Sequence, residues 1–435
     1  MNQFGLNSIG RRRFLVGAAS GLVAGGVAGV GGFALYDRFL RPADYIRKKF
    51  TGKCIEVPNP AFALPGRYPG RVVEVRHSGS VSSGKIDRQY VRPMVSRGIT
   101  ELTGAPDATA AWRSLFQSGD RVGIKVNPVG RAREAGQPGS ISSFEVILEV
   151  VEGLRSAGLA DSDIILFERY ADEFREAGYE KFLGSELPEV QWYASAVRGG
   201  NVQIDLEGRD PGREGARPAP DQHVVGYDAD VFRRFDYTMP QYDPSEGLSF
   251  QSHLSKIVSG DLVNKIINIP TLKDHASAGV TLALKNLSHG LVSNVARTHV
   301  EKLREGNRCG TFIPRIVELE PIRRKTVLNI VDGLIGVYEG GPGPWKKSFS
   351  TWEYKSLLFA TDPVAIDHVG WDILDAERAS RRWAAVAAMG LNERDPVGAE
   401  RFFIRQPEHI PLAGFLDLGI FEPAKIEHRQ VVLQS

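Results

Sequence analysis

From residue 71 onward the chain alternates short β-branched runs with longer helical patterns, and this alternation restricts the fold more than any other feature. "RVVEVRH" (71–77), "DRVGIKVN" (120–127), "DIILFER" (163–169), "NKIINIP" (264–270), "KTVLNIVD" (325–332) and "KSLLFAT" (355–361) read as strands, each bounded by turn formers or charges. Between them, "SSFEVILEVVEGLRSAGL" (142–159) repeats apolar residues every three or four positions and stops at Gly158, as an amphipathic helix does. "DPVAIDHVGWDILDAER" (362–378) reads as another helix, with Asp362 as N-cap and Pro363 in its first turn. Strands that alternate with helices predict an α/β fold, a mainly parallel mixed sheet with helices on both faces, in one body or two lobes. With 435 residues, 42% of them hydrophobic, the chain has enough apolar material for a large core.

The formal charge of +2 hides an asymmetry: the first fifty residues carry eight Arg or Lys against two Asp, which leaves the remainder at net −4. A mildly acidic body speaks against nucleic acid as a partner. The basic start has its own explanation. Arg11-Arg12-x-Phe14-Leu15 precedes an uncharged run from Phe14 to Tyr36 that is diluted by seven glycines. That pattern resembles a twin-arginine export signal, with Gly32-Phe33-Ala34 as a cleavage region. Left uncleaved, residues 14–36 are long enough to tether the protein to the inner membrane. The expected partner is the export machinery, and the expected location the periplasm or cell envelope. We read residues 1–36 as signal or anchor, 37–70 as a Pro/Gly-punctuated linker and 71–435 as the body, with 197–223 as an irregular insertion rich in Gly, Pro, Arg and Asp that forms a surface loop or a lid. Cys54 and Cys309 allow one disulfide and are too few for an all-cysteine iron–sulfur cluster.

The chemistry concentrates in "NIPTLKDHASAGVTLALKNLSHG" (268–290), where two lysines, two histidines and asparagines interrupt an otherwise core-like strand and helix. Ammonium groups are costly to bury without a partner. With Pro270 ending the strand, "TLKDH" becomes a turn at the carboxyl edge of the sheet, where open α/β sheets place ligand crevices. Asp274 then caps a helix whose first amides favour an anion. Ser277, Thr281, Lys285 and His289 recur every four residues and form a polar stripe, opposite the apolar Val280, Leu284, Leu287 and Leu291. Gly290 stands where a left-handed helix terminus is favoured. Lys273, His275, Lys285 and Asn286 thereby converge on one small anion, a carboxylate or a phosphate.

These residues resemble the domain of unknown function 362 family at Pro270, Lys273, His275, Gly279, Thr281, Lys285, Asn286 and Gly290. "VGIKVN" (122–127), "NIVDGLIGVYEGGPGP" (329–344) and "ATDPVAIDHVG" (360–370) are similar to further family segments, in the family's order, over roughly residues 71–430. The resemblance implies a fold and motif boundaries; it implies no defined activity. Many relatives carry cysteine-rich ferredoxin-type clusters, for which this chain lacks the ligands.

Lys125 and Asn127, at the end of a parallel strand, extend the cradle toward Lys273. The expected binding set is therefore Lys125, Asn127, Lys273, Thr281, Lys285 and Asn286. His275 is the expected general acid or base, because an imidazole titrates near neutrality, and Asp332 at the end of "LNIVD" is a second candidate base. His275, His289 and His299 with Asp332 also offer donors for a metal, although no paired-histidine helix motif occurs. Three readings follow: an enzyme acting on a small anionic substrate, a non-catalytic ligand or cofactor carrier of the cell envelope, and a metal-dependent enzyme.

Overall fold

The computed structural model describes residues 63–132, 139–197, 204–209, 217–239, 245, 247–299, 308–344, 348–388 and 407–434. The export signal, Cys54, most of the linker and parts of the 197–223 insertion lie outside these residues. The described parts of that insertion, 204–209 and 217–223, contain turns and no helix or strand. Among the described residues no helix is long and apolar enough to cross a membrane.

The elements that position the site are, in chain order, β1 (Arg71–His77), α1 (Arg88–Thr103), β2 (Val122–Lys125), α2 (Phe144–Ser156), β3 (Ile164–Tyr170), β4 (Gln191–Ala196), β5 (Lys265–Asn268), β6 (Thr271–His275), α3 (Leu282–Ser288), α4 (Cys309–Val317), β7 (Thr326–Glu339), β8 (Ser356–Ala360), α5 (Pro363–Ser380), α6 (His409–Phe415) and β9 (Glu427–Leu433). The sheet runs β9-β1-β8-β7-β5-β2-β3-β4. From β7 through β5, β2 and β3 to β4 every pairing is parallel. β8 runs antiparallel to both β7 and β1, and β9 pairs parallel with β1. The expected α/β architecture is therefore present, as a mixed sheet that is mostly parallel.

Successive strand side chains point to opposite faces. On one face Val73, Val75, Val122, Ile124, Ile267, Ile330, Leu357 and Phe359 join Val91, Met94, Val95 and Ile99 of α1 and Val146 and Val150 of α2 in a continuous apolar core. α1 approaches closely because Gly98 has no side chain; a Cβ there would lie 2.1 Å from the Phe359 ring. Lys125, Asn268 and Asn329 alternate with those core residues and are in register across β2, β5 and β7. They face α3, all seven of whose residues are buried. The polar groups of the 268–290 stretch are interior groups, and the helix has no solvent face to put them on.

Helix signals performed as expected at two places. Asp362 caps α5, accepting from the amides of Val364 and Ala365 at 2.9 Å each, and Gly158 takes a left-handed φ of 99° just past α2. The 268–290 stretch departs from expectation. "TLKDH" is strand β6 and not a turn, pairing with the distal half of the 14-residue β7. Pro270 lacks an N–H, but its carbonyl accepts from the Asp332 amide at 2.8 Å, so the ladder continues through the proline. Gly279, with φ 79°, and Val280 then fold back antiparallel on His275 and Asp274. The helix is consequently shorter than its pattern suggested, and Ser277 lies outside it. Asp274 does not cap α3; its Oδ1 accepts from the Gly341 amide at 2.8 Å. The first amides of α3, on Ala283 and Leu284, donate to Asp367 of α5 at 2.7 and 2.9 Å. With both amides taken by a carboxylate, the helix start is not the anion site that the sequence suggested. Gly290 is not left-handed either: a Cβ there would lie 2.7 Å from the Lys125 amine, so the glycine makes room for that side chain.

Candidate functional site

A chain of amide hydrogen bonds crosses the face of the sheet beneath α3. Asn286 of α3 donates to Asn268 Oδ1 at 2.8 Å, Asn268 donates to Asn329 Oδ1 at 2.9 Å, and Asn329 donates to the Thr361 carbonyl at 3.2 Å. On its other side Asn286 Oδ1 accepts from Asn127 at 3.0 Å and from the Lys125 amine at 3.3 Å. Each amide uses its oxygen and its nitrogen, which is how buried amides avoid the cost of desolvation. This ladder ties α3 to β2, β5 and β7 and to Thr361 just past β8, beside the lysines.

The three predicted lysines all enter this interior, and their surroundings differ. Lys125 is fully buried and is held by Glu168 Oε2 at 2.5 Å and the Val126 carbonyl at 2.7 Å. Burial pulls the Lys125 ammonium down and pushes the Glu168 carboxyl up, and their mutual contact opposes both shifts. Lys273 is also fully buried; it donates to Asn127 Oδ1 at 2.8 Å and to the Val129 carbonyl. Burial, with Lys285 nearby, lowers it to about 7. Lys285 is 8% exposed and makes no hydrogen bond or ion pair among the described residues. Burial lowers it to about 8, the Arg169 guanidinium adding to that and Cys309 opposing it. Of the expected cradle, Lys125 belongs to a buried ion pair, while Lys273 and Lys285 have no carboxylate in their hydrogen-bond shell among the described residues.

Around Lys285 the chain gathers imidazoles. His289 follows α3 directly, and its ring centroid lies 4.9 Å from that of His299; His299 is 5.4 Å from His275. His275 Nδ1 accepts from the amides of Ser277 and Ala278 at 3.0 and 3.1 Å, which places the proton of its neutral form on Nε2. His409 at the start of α6 is fully buried, and neither ring nitrogen has a hydrogen-bond partner among the described residues. Burial, with Lys285 adding, takes both His299 and His409 down to about 3 and His289 well below its usual range. Cys309, the first residue of α4, is a buried thiol raised to about 11 by burial, against the pull of Lys285. Thr281 is buried ahead of α3 with no partner for its hydroxyl among the described residues, and the next residue, Leu282, has a φ of 42°. A left-handed leucine stores backbone strain of the kind that clusters at binding sites.

Asp332 stands apart from this group. Its carboxylate accepts from the Ser143 amide at 2.8 Å, from the Ser143 hydroxyl and from the Leu334 amide at 3.1 Å, while burial pushes its pKa up. It thus anchors Ser143, the residue just before α2, from a distant strand. An open cavity of about 520 Å³ lined by Trp352, Tyr354, His368, Asp372, Glu377 and His428 shares no residue with the lysine and histidine group.

The sequence reading missed Glu168, Arg169, Asn268, Asn329 and Cys309. Three of these carried a visible signal: single asparagines inside "KIINIP" and "VLNIVD", and the acid in "LFER", each at the end of an apolar strand. Register across the sheet turns those isolated polar residues into one row.

Residues 233–372 match the domain of unknown function DUF362. No curated protein matches the chain. The DUF362 segment is narrower than the resemblance over 71–430 suggested. It contains Asn268, Lys273, His275, Thr281, Lys285, Asn286, His289, His299, Cys309, Asn329 and Asp332. Lys125, Asn127 and Glu168 come from outside it, so the ladder joins the DUF362 segment to β2 and β3.

Proposed function

We propose that the protein is an enzyme acting on a small anionic substrate, a carboxylate or a phosphate, bound by Lys273 and Lys285 beneath α3. The observation that supports this reading is the Lys285 amine. A buried ammonium with no hydrogen bond is expensive, and the cost is accepted where a ligand supplies the missing charge. Lys273 and Arg169 add to the positive potential at the same place, and the unpartnered Thr281 hydroxyl offers a neutral donor. In this reading Asn127 and Asn286 orient the lysines, and Lys125 supports the site through Glu168. His275, when protonated, serves as general acid by donating from Nε2.

The test is a thermal-shift screen of carboxylates and phosphates on the full chain. We expect a ligand-dependent rise in Tm that disappears in Lys285→Met and shrinks in Lys273→Met, with both variants folded. His275→Gln should retain binding and lose turnover. Binding without any turnover would point to a carrier, and an undiminished rise in both lysine variants would refute the site.

We also infer export, on the support of Arg11-Arg12-x-Phe14-Leu15 and the glycine-diluted run to Tyr36. Replacing both arginines by lysine should leave unprocessed protein in the cytoplasm. Unchanged delivery to the envelope would overturn the inference.

A further inference from the structure

We infer that His289, His299 and Cys309 form a binding site for a divalent ion of the zinc type. One ligand atom from each lies within 4.8 Å of the others. Around a tetrahedral zinc, bonds of about 2.0–2.3 Å put ligand atoms about 3.3–3.8 Å apart. Cys309 Sγ is already 3.9 Å from His289 Nε2, so closure on an ion needs only small side-chain movements. Two imidazoles and a thiolate are a borderline-soft donor set, suited to zinc or cobalt and poorly suited to magnesium or calcium.

The hydrogen bonds behind the cluster point the same way. The Ser288 hydroxyl donates to the Lys285 carbonyl at 3.1 Å and is 3.2 Å from His289 Nδ1. With its own proton given to that carbonyl, it accepts from Nδ1–H, which leaves Nε2 as a bare lone pair aimed into the cluster. This is the outer-shell arrangement that fixes the tautomer of a metal-binding histidine. The Thr298 hydroxyl donates to the Val295 carbonyl at 2.7 Å and lies 2.9 Å from that same Nε2, 3.1 Å from His299 Nδ1 and 3.8 Å from Cys309 Sγ. Its oxygen accepts from the Cys309 thiol, whose proton metal binding would displace. Three protein ligands leave a fourth position open, the hallmark of a catalytic rather than a structural zinc centre. The three ligands are not among the proposed anion contacts, but they adjoin Lys285, so the metal titration is run without any candidate anion.

Loading the centre removes the Cys309 proton and forms a sulfur–metal bond, with no change in oxidation state. The experiment uses the full chain purified without a histidine tag, stripped with chelator and titrated with cobalt(II) in the absence of any candidate substrate. We expect one equivalent per chain, with a sulfur-to-cobalt charge-transfer band in the near ultraviolet and strong visible bands of a tetrahedral ion. Cys309→Ser should abolish the charge-transfer band. His289→Ala and His299→Ala should each weaken binding by more than about 100-fold, beyond the about 10- to 100-fold that loss of an outer-shell partner brings. His428→Gln, remote from the cluster, should bind as the native chain does.

If a ligand variant fails to fold, alkylation of the native protein in mild denaturant decides the matter. Mass spectrometry should then show Cys309 protected by one equivalent of zinc and Cys54 unaffected. Sub-stoichiometric uptake, a spectrum without the sulfur band, or equal uptake by the folded Cys309→Ser and His289→Ala variants means an adventitious ion only and overturns the proposal.

Discussion

Lys125 and Lys285 are two buried lysines on either side of the same asparagine ladder, and they have opposite surroundings. Lys125 has a carboxylate, a carbonyl and an amide oxygen within reach. Lys285 has cations, imidazoles and a thiol around it and no hydrogen bond of its own among the described residues. Both look alike in sequence, as a lysine within an apolar segment. What separates a structural lysine from a binding one is the company supplied by other strands, and the difference predicts opposite responses to the same substitution.

The largest effect should come from Lys125→Met, which strands the buried Glu168; breaking a buried pair costs about 3–5 kcal/mol, read as a loss in urea unfolding free energy. Lys125→Met combined with Glu168→Leu should recover much of that loss. A single variant as stable as the native chain would show that the pair carries no structural weight.

Next is an acid that follows the same rule away from the lysines. Glu74 is buried and accepts from Tyr354 at 2.5 Å, His428 at 3.0 Å and Gln430 at 3.1 Å. Burial alone pushes its carboxyl up, but these donors together bring it down from 4.5 to about 2. A depressed folded pKa gives stability that is present above the unfolded value and lost as pH falls from 4.5 through about 2. At about 1.4 kcal/mol per unit the contribution is about 3 kcal/mol. Glu74→Gln should flatten that acid limb in pH-dependent unfolding; an unchanged slope would remove Glu74 from the account.

Within the ladder, Asn268→Ala leaves Asn286 and Asn329 each short of a buried partner and should cost about 1–3 kcal/mol. The smallest change in stability is expected from Lys285→Met, with the sign reversed: removing an unpaired buried ammonium should raise stability by about 1 kcal/mol. A stability loss as large as that of Lys125→Met would erase the distinction between the two lysines.

Much of this was legible in the sequence, and the boundary is instructive. β1, β3, β5 and β8 were visible as β-branched runs, and α2 and α5 announced themselves by period and cap. β6 was hidden because a proline normally ends a strand, and here its carbonyl keeps the pairing alive. Helix α3 was overread because polar residues at four-residue spacing imitate a surface stripe, although every residue of the helix is buried. Lys273, His275, Lys285 and Asn286 stood out as polar groups in apolar surroundings. Their partners Glu168 and Asn329, and the pairing of Cys309 with His289, depend on strand register and helix packing, which spacing along one chain does not encode. The partner of Asp332 was out of sight for the same reason, since Ser143 lies 189 positions earlier.

The most direct test compares anion binding in Lys285→Met and Lys125→Met by calorimetry, using a carboxylate or phosphate that stabilises the native chain. The account predicts no measurable heat of binding in Lys285→Met despite an intact fold, and residual binding in whatever fraction of Lys125→Met remains folded. Native affinity in Lys285→Met would contradict it.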